Sequence, residues 1–300
     1  MLFVVVVGAI KKVLGYGQLP NFIFSSDCES KFLNKTELDT ESFERCFIDG
    51  TRFIAQELEA YDYSGCFFIN ISEYLNGTVD VQARLESLIK SIHDNGHQLG
   101  IHIHPSLHSG FESTDFSSYS VAQMTEMLHE AKNVFKAITG ETPIVFRAGG
   151  YSAGNWAKLY EALIASEIFI DSSIFPGAQN LHGAKFDFSA VEFHQPYRPH
   201  AQNFWEEDPI GMITEYPITS LRKPKHNLAA SVMRFDPNRP LWQLKAMINY
   251  LRSSEPKLVN FIYHSKEVFR SNGDLDHSAQ NLTAILRYMK ESKMESSSYE

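Results

Sequence analysis

The chain has 300 residues, 43% of them hydrophobic and 21% charged, enough to bury a large core and too apolar for wholesale disorder. Lys plus Arg number 27 against 36 Asp plus Glu, a formal net charge of −9, which argues against sequence-independent nucleic-acid binding through a cationic face. Three cysteines, Cys28, Cys46 and Cys66, show no CxxC spacing; this excludes a disulfide framework and a thiolate zinc knot, and fits a reducing, cytoplasmic setting.

Met1 to Ile10 is almost wholly apolar, with Lys11 and Lys12 behind it rather than before it, the reverse of a signal peptide. Such a run falls short of the roughly 20 residues that span a bilayer, so a first strand, or a segment resting on a partner or membrane surface, is expected. Phe22 to Ser25 reads as a buried strand. Phe43, Phe47, Phe53, Ile54 and Leu58 recur at helical spacing within Glu41 to Tyr61. Cys66 to Ile69 reads as strand, Val79 to Asn95 as amphipathic helix, and Gln98 to Ile103 as strand. Ser120 to Thr139 reads as helix, closed by Gly140 where helices commonly end. Strand is expected at Ile144 to Phe146, helix at Asn155 to Ser166, and strand at Ile168 to Ile170. A loop-rich stretch from Phe175 to Trp205 precedes strands near Ile213 to Ile218 and Val259 to Tyr263, with helices at Leu241 to Ser253 and His277 to Glu291.

About seven alternating strand and helix units predict an α/β fold, a parallel sheet closed or nearly closed into a barrel. In such barrels chemistry collects where strands end. Asp27-Cys28-Glu29, the run from His102 to His108, Arg147 to Tyr151, Asp171-Ser172-Ser173 and His264-Ser265 each follow an expected strand. Residues two apart on a strand share a face, so His102 and His104 can both point inward, as can Asp27 and Glu29. A carboxylate with two histidines suits a divalent metal and leaves a position for water. The second carboxylate can then act as a base. Arg147, after an apolar strand, needs a buried acid, for which Asp27 and Asp171 are the candidates. Gly149-Gly150 permits close backbone approach, and the Tyr151 amide can face an oxyanion. Asp171 can orient a histidine, and His264 is a candidate general acid, because imidazole exchanges its proton near neutrality.

This ordered set resembles the polysaccharide deacetylases, carbohydrate esterase family 4, and within them the branch found with surface-polysaccharide and O-antigen biosynthesis. The resemblance rests on Phe24 to Glu29, Gly96 to Pro105, Phe146 to Tyr151, Asp171 to Gly177, Glu215 to Pro217 and Phe261 to His264, from about Asn21 to Tyr288. It implies a distorted (β/α)7 barrel over residues 21–291, behind an N-terminal apolar segment (1–20), and the Ser-rich composition of Glu295 to Glu300 marks residues 292–300 as an expected flexible tail. It also implies roles: Asp27 as catalytic base, Arg147 as its tether, Tyr151 as backbone oxyanion donor, His264 as catalytic histidine, and Asp171 as the acid that tunes it. Glu29 and His102 would bind a divalent metal, most simply Zn2+, and the substrate would be an acetylated sugar or glycan precursor.

Two departures stand out. Ser106 occupies the place of the family's second metal histidine, which leaves His104 or His108 to serve. Cys28 stands where many members carry an aspartate ligand. A catalytically silent glycan-binding barrel and a barrel amidohydrolase, which also uses a His-x-His strand end, are the competing readings. The aromatic residues Phe186, Phe188, Phe193, Tyr197, Phe204 and Trp205 are candidates for a sugar-stacking wall.

Overall fold

The computed structural model describes residues 20–30, 40–105, 113, 119–178, 186–192, 195–222, 232–234, 236–254 and 258–300. The N-terminal apolar segment, Ser106, His108 and Phe193 lie outside the described residues. Among the described residues, no helix is long and apolar enough to cross a membrane.

The chain forms strands β1 (Asn21–Cys28), β2 (Cys66–Asn70), β3 (Gln98–Ile103), β4 (Val145–Ala148), β5 (Ile170–Asp171), β6 (Pro199–His200), β7 (Asn203–Glu207), β8 (Thr214–Glu215), β9 (Ser220–Arg222), β10 (Val232–Arg234) and β11 (Leu258–His264). Seven of them make one sheet in the order β11-β1-β2-β3-β4-β5-β8, and all its pairings are parallel. The sheet curls into a distorted (β/α)7 barrel, the nearly closed form that the alternation of elements predicts and the fold that the family resemblance implies. Its open side is bridged just beyond β8: Thr219 N–H donates to the Asn260 carbonyl (3.1 Å), and Asn260 N–H to Thr219 Oγ1 (2.8 Å). Two of the expected strands shrink to two residues, β5 and β8, because the sheet is nearly finished there and pairs over only two positions.

Helices cover the outside: α1 (Gly50–Glu59), α2 (Ile71–Leu75), α3 (Val79–Asp94), α4 (Val121–Thr139), α5 (Trp156–Ala165), α6 (Leu241–Ser254) and α7 (His277–Glu291). A capping box of Ser120 and Gln123 opens α4, and Gly140 at φ 84° closes it where the sequence places its end. The expected helix over Glu41 to Tyr61 is continuous only as a composite. A π-helical stretch, Phe43–Asp49, runs straight into α1.

Strand periodicity sorts the side chains. Phe22, Phe24 and Cys28 on β1, with Phe67, Ile69, Ile101, Ile103 and Phe146, join the large core between sheet and helices. The alternate positions Ile23, Cys66, Phe68, Val145 and Ile170 form a smaller cluster inside the barrel. Tyr299 completes that inner cluster and is 2% exposed. The tail is packed against the barrel. Phe22 N–H donates to the Glu295 carbonyl and Ser297 N–H to the Phe22 carbonyl, a strand-like pairing alongside β1. Gln98 grips the Tyr299 backbone on both sides, at 3.0 Å each. The serine-rich composition that suggests fraying is overridden by one large ring with a cavity to fill and an arginine to meet.

Candidate active site

The inward face of β1 carries Ser25 and Asp27 towards the barrel mouth, and Glu29 follows on the same side. Cys28 points the other way, is fully buried, and burial pushes its thiol up to about 12. Its sulfur lies in the core between sheet and helices, away from the face that carries Glu29, His102 and His104. Across the mouth, His102 lies on β3 in register with Arg147 on β4, and His104 follows two residues later on the same face.

Arg147 is wholly buried and fully engaged. It donates from Nη1 to Asp27 Oδ1 (2.7 Å), from Nε to the Ser172 carbonyl (2.9 Å), and from Nη2 to Ser25 Oγ (3.0 Å), Ser172 Oγ (2.9 Å) and Tyr299 Oη (3.1 Å). Its guanidinium also lies 4.0 Å from the Phe68 ring centroid. Of the two candidate acids for Arg147, Asp27 is thus the ion-pair partner. Burial alone would raise the Asp27 carboxyl, but Arg147, with His102 and His264 behind it, outweighs burial and holds it below the ordinary range. Asp27 is an anchored carboxylate with Oδ2 turned to the cleft, 3.6 Å from His264 Nε2.

Glu29, His102 and His104 offer ligand atoms that all lie within 4.8 Å of one another. His102 Nδ1 sits 2.9 Å from the Arg147 carbonyl, which can only accept, so Nδ1 carries a proton and Nε2 is the atom turned towards the other two. That nitrogen lies 3.2 Å from His104 Nε2, and Glu29 Oε2 is 2.6 Å from His104 Nε2 and 3.7 Å from His102 Nε2. Two imidazole nitrogens and a carboxylate oxygen facing one another repel unless a proton or a cation lies among them. The donor set therefore fits a divalent metal of the zinc class. His104 is seated by Gly149: a Cβ there would come within 2.5 Å of the Ile103 carbonyl oxygen and 2.7 Å of the imidazole. The close approach that this glycine permits is to a histidine of the chain itself.

His264 closes the ring of groups from β11, the other neighbour of β1. Its Nδ1 donates to Glu267 Oε2 (3.2 Å), so the acid beside it is Glu267 and not Asp171. Burial raises the Glu267 carboxyl, but His264 and Arg234 outweigh it and bring it to about 2. Asp171 lies four strands from β1, in register with Glu215 on β8. Asp171 Oδ1 accepts from Ser173 Oγ at 2.6 Å and Glu215 Oε1 from Ile174 N–H at 3.1 Å, while Asp171 Oδ2 and Glu215 Oε2 are buried without a donor among the described residues. Burial raises both, Asp171 to about 6.

That pair has a consequence for stability. Between the ordinary carboxylate range near pH 4 and the raised folded values, the folded chain holds a proton that the unfolded chain has released. The pair's contribution to stability therefore falls as pH rises. Glu215→Gln, which supplies a neutral donor to Asp171, is expected to gain about 1–2 kcal/mol relative to the parent between pH 5 and pH 8. Urea unfolding of both proteins at the two pH values measures this, and a difference independent of pH would refute it.

Tyr151, at the end of the turn Gly149–Tyr151, has a left-handed backbone (φ 57°), uncommon for a bulky residue, and its phenol accepts from Arg234 Nη1 (2.9 Å). Its ring packs near Phe175 and Phe186. The aromatic stretch is mostly core: Phe186, Phe188, Tyr197 and Phe204 are buried, and Phe186 stacks on Phe188 at 4.8 Å. Trp205 alone among its described members is exposed.

Three contributors escape sequence reasoning. Glu267 and Lys266 follow His264 directly, and Lys266 Nζ meets Glu29 Oε1 in a short ion pair. Tyr299 reaches Arg147 from the far end of the chain. The first two could have been found by asking what a turn immediately after a strand-end histidine carries; the third has no local signal.

Residues 42–163, about two fifths of the chain, match the polysaccharide deacetylase family. The match contains His102, His104, Arg147 and Tyr151 and leaves Asp27, Glu29, Asp171 and His264 outside it. No curated protein matches the sequence. Among solved structures, a Mycobacterium smegmatis protein assigned to the polysaccharide deacetylases aligns over 95% of this chain and 94% of its own, at 13% identity and a TM-score of 0.58. A 4-alpha-glucanotransferase from Thermococcus litoralis aligns over 94% of this chain and 40% of its own, at 15% identity and a TM-score of 0.56. At these identities the two likenesses establish the barrel, and the side chains at its mouth must decide between chemistries.

Proposed function

We propose that the chain is a metal-dependent carbohydrate deacetylase that hydrolyses an N-acetyl group on a sugar, acting in the cytoplasm on a precursor of a surface polysaccharide. The observation that carries this reading is the convergence of the Glu29–His102–His104 trio and the Asp27–Arg147 pair at the ends of β1, β3 and β4. The match to the polysaccharide deacetylase family over residues 42–163 supports it.

Glu29, His102 and His104 would hold the metal, which when bound supplies polarisation of the acetyl carbonyl and acidification of water. Asp27, fixed by Arg147 through Oδ1, accepts the proton of the attacking water at Oδ2. The Tyr151 amide is assigned to the developing oxyanion. As the C–N bond breaks, His264 donates a proton from Nε2 to the departing amine, its ring oriented by Glu267 through Nδ1. The products are acetate and a free amino sugar. Asp171 lies outside this set, in register with Glu215 where β5 pairs with β8.

Metal content of protein purified without chelator tests the assignment. The parent is expected to carry near-stoichiometric divalent metal, and His102→Ala to lose it, since two of the three donors would remain without the one that Arg147 orients. Normal metal in His102→Ala would mean that the site is misplaced. No metal in the parent, even after addition of zinc or cobalt, would favour the silent glycan-binding barrel.

A further inference from the structure

A three-residue turn, Ser265–Glu267, follows β11 and contacts Glu29 and His264. Ser265 Oγ accepts from Glu29 N–H (3.0 Å) and donates to the Glu29 carbonyl (3.3 Å), clamping the backbone of the residue. Glu267 holds His264. Lys266, between them, places its ammonium on Glu29 Oε1. The turn is pressed into place by Gly50, where a Cβ would lie 2.2 Å from the Ser265 carbonyl oxygen. Only hydrogen at that position lets α1 approach so closely.

The two oxygens of Glu29 thus have separate partners. Oε2 faces His104 and His102, and Oε1 faces Lys266. Glu29 is almost fully buried at 4% side-chain exposure, whereas Lys266, at 32%, reaches it from the edge of the cleft. We infer that Lys266 restricts Glu29 to a single oxygen for cation binding and holds down the affinity of the Glu29–His102–His104 site for divalent metal. The inference rests on the metal-site reading above and adds a residue to it. An ammonium and a divalent cation on one carboxylate repel each other, and a buried carboxylate already paired with lysine gains less from a metal than an unpaired one. One-oxygen binding also leaves coordination positions open for water and substrate oxygen, which a catalytic site requires.

Lys266→Met tests this in the full-length chain, with Zn2+ titrated in competition with a chromophoric chelator. The variant is expected to bind Zn2+ at least tenfold more tightly than the parent. Its Co2+ complex is expected to show weaker visible absorption, as the second Glu29 oxygen adds a ligand. Lys266→Arg keeps the charge and is expected to stay near the parent. Should the Met variant fold poorly, Lys266→Gln removes the same charge with a polar side chain, and the same tenfold criterion applies. A smaller gain, or weaker binding, overturns the inference while leaving the metal site standing if the parent binds. Binding by neither protein removes both. Binding by the variant alone supports the inference in its strongest form, with Lys266 excluding the metal outright.

Discussion

Asp27→Asn is expected to lower acetate release from N-acetylated glucosamine oligosaccharides by about 10³-fold while metal content stays at the parental level. Loss of a positioned general base generally costs 10²–10⁴-fold. The substitution is selective because of how Asp27 is held. Its Oδ1 accepts from Arg147 Nη1 at 2.7 Å, and an amide oxygen can accept the same bond. The side chain itself is buried, so an isosteric amide neither opens a cavity nor brings in new charge. What disappears is the anionic Oδ2, the atom facing His264 across the cleft. Glu29, His102 and His104 do not include Asp27, so a fall in metal content would place it among the ligands instead. Near-parental activity with metal retained would remove it from the mechanism.

Arg147→Met is expected to destabilise the fold by about 3–5 kcal/mol, the usual cost of stranding one partner of a buried ion pair. Methionine fills much of the volume and can still lie against Phe68, so the loss reports charge and hydrogen bonding more than packing. Asp27, Ser25, Ser172 and Tyr299 all lose a donor at once. Most of the cost belongs to the stranded Asp27 carboxylate. The double variant Asp27→Asn/Arg147→Met should therefore be more stable than Arg147→Met alone, and urea denaturation of the four proteins of the cycle measures the coupling. Additive effects would show that the two side chains do not act as a pair.

The sequence by itself determined the alternation of strands and helices, the barrel, and the rim on which Asp27, Glu29, His102, His104, Arg147 and His264 meet. Each of these rests on local information: apolar runs of strand length, period-two alternation that puts His102 with His104 and Asp27 with Glu29, and a helix-ending Gly140. The tertiary structure alone decided which partners those groups find. The histidine of β11 pairs with Glu267 and not with Asp171, because β11 adjoins β1 whereas β5 adjoins β8. Lys266 reaches Glu29 across 237 positions of sequence, and Tyr299 reaches Arg147 across 152. Such contacts follow from the order in which strands curl into the barrel and from the one interior space left for a ring. Neither leaves a periodic trace in the residues that make the contact, so a tail that reads as polar and loose becomes the plug beneath Arg147.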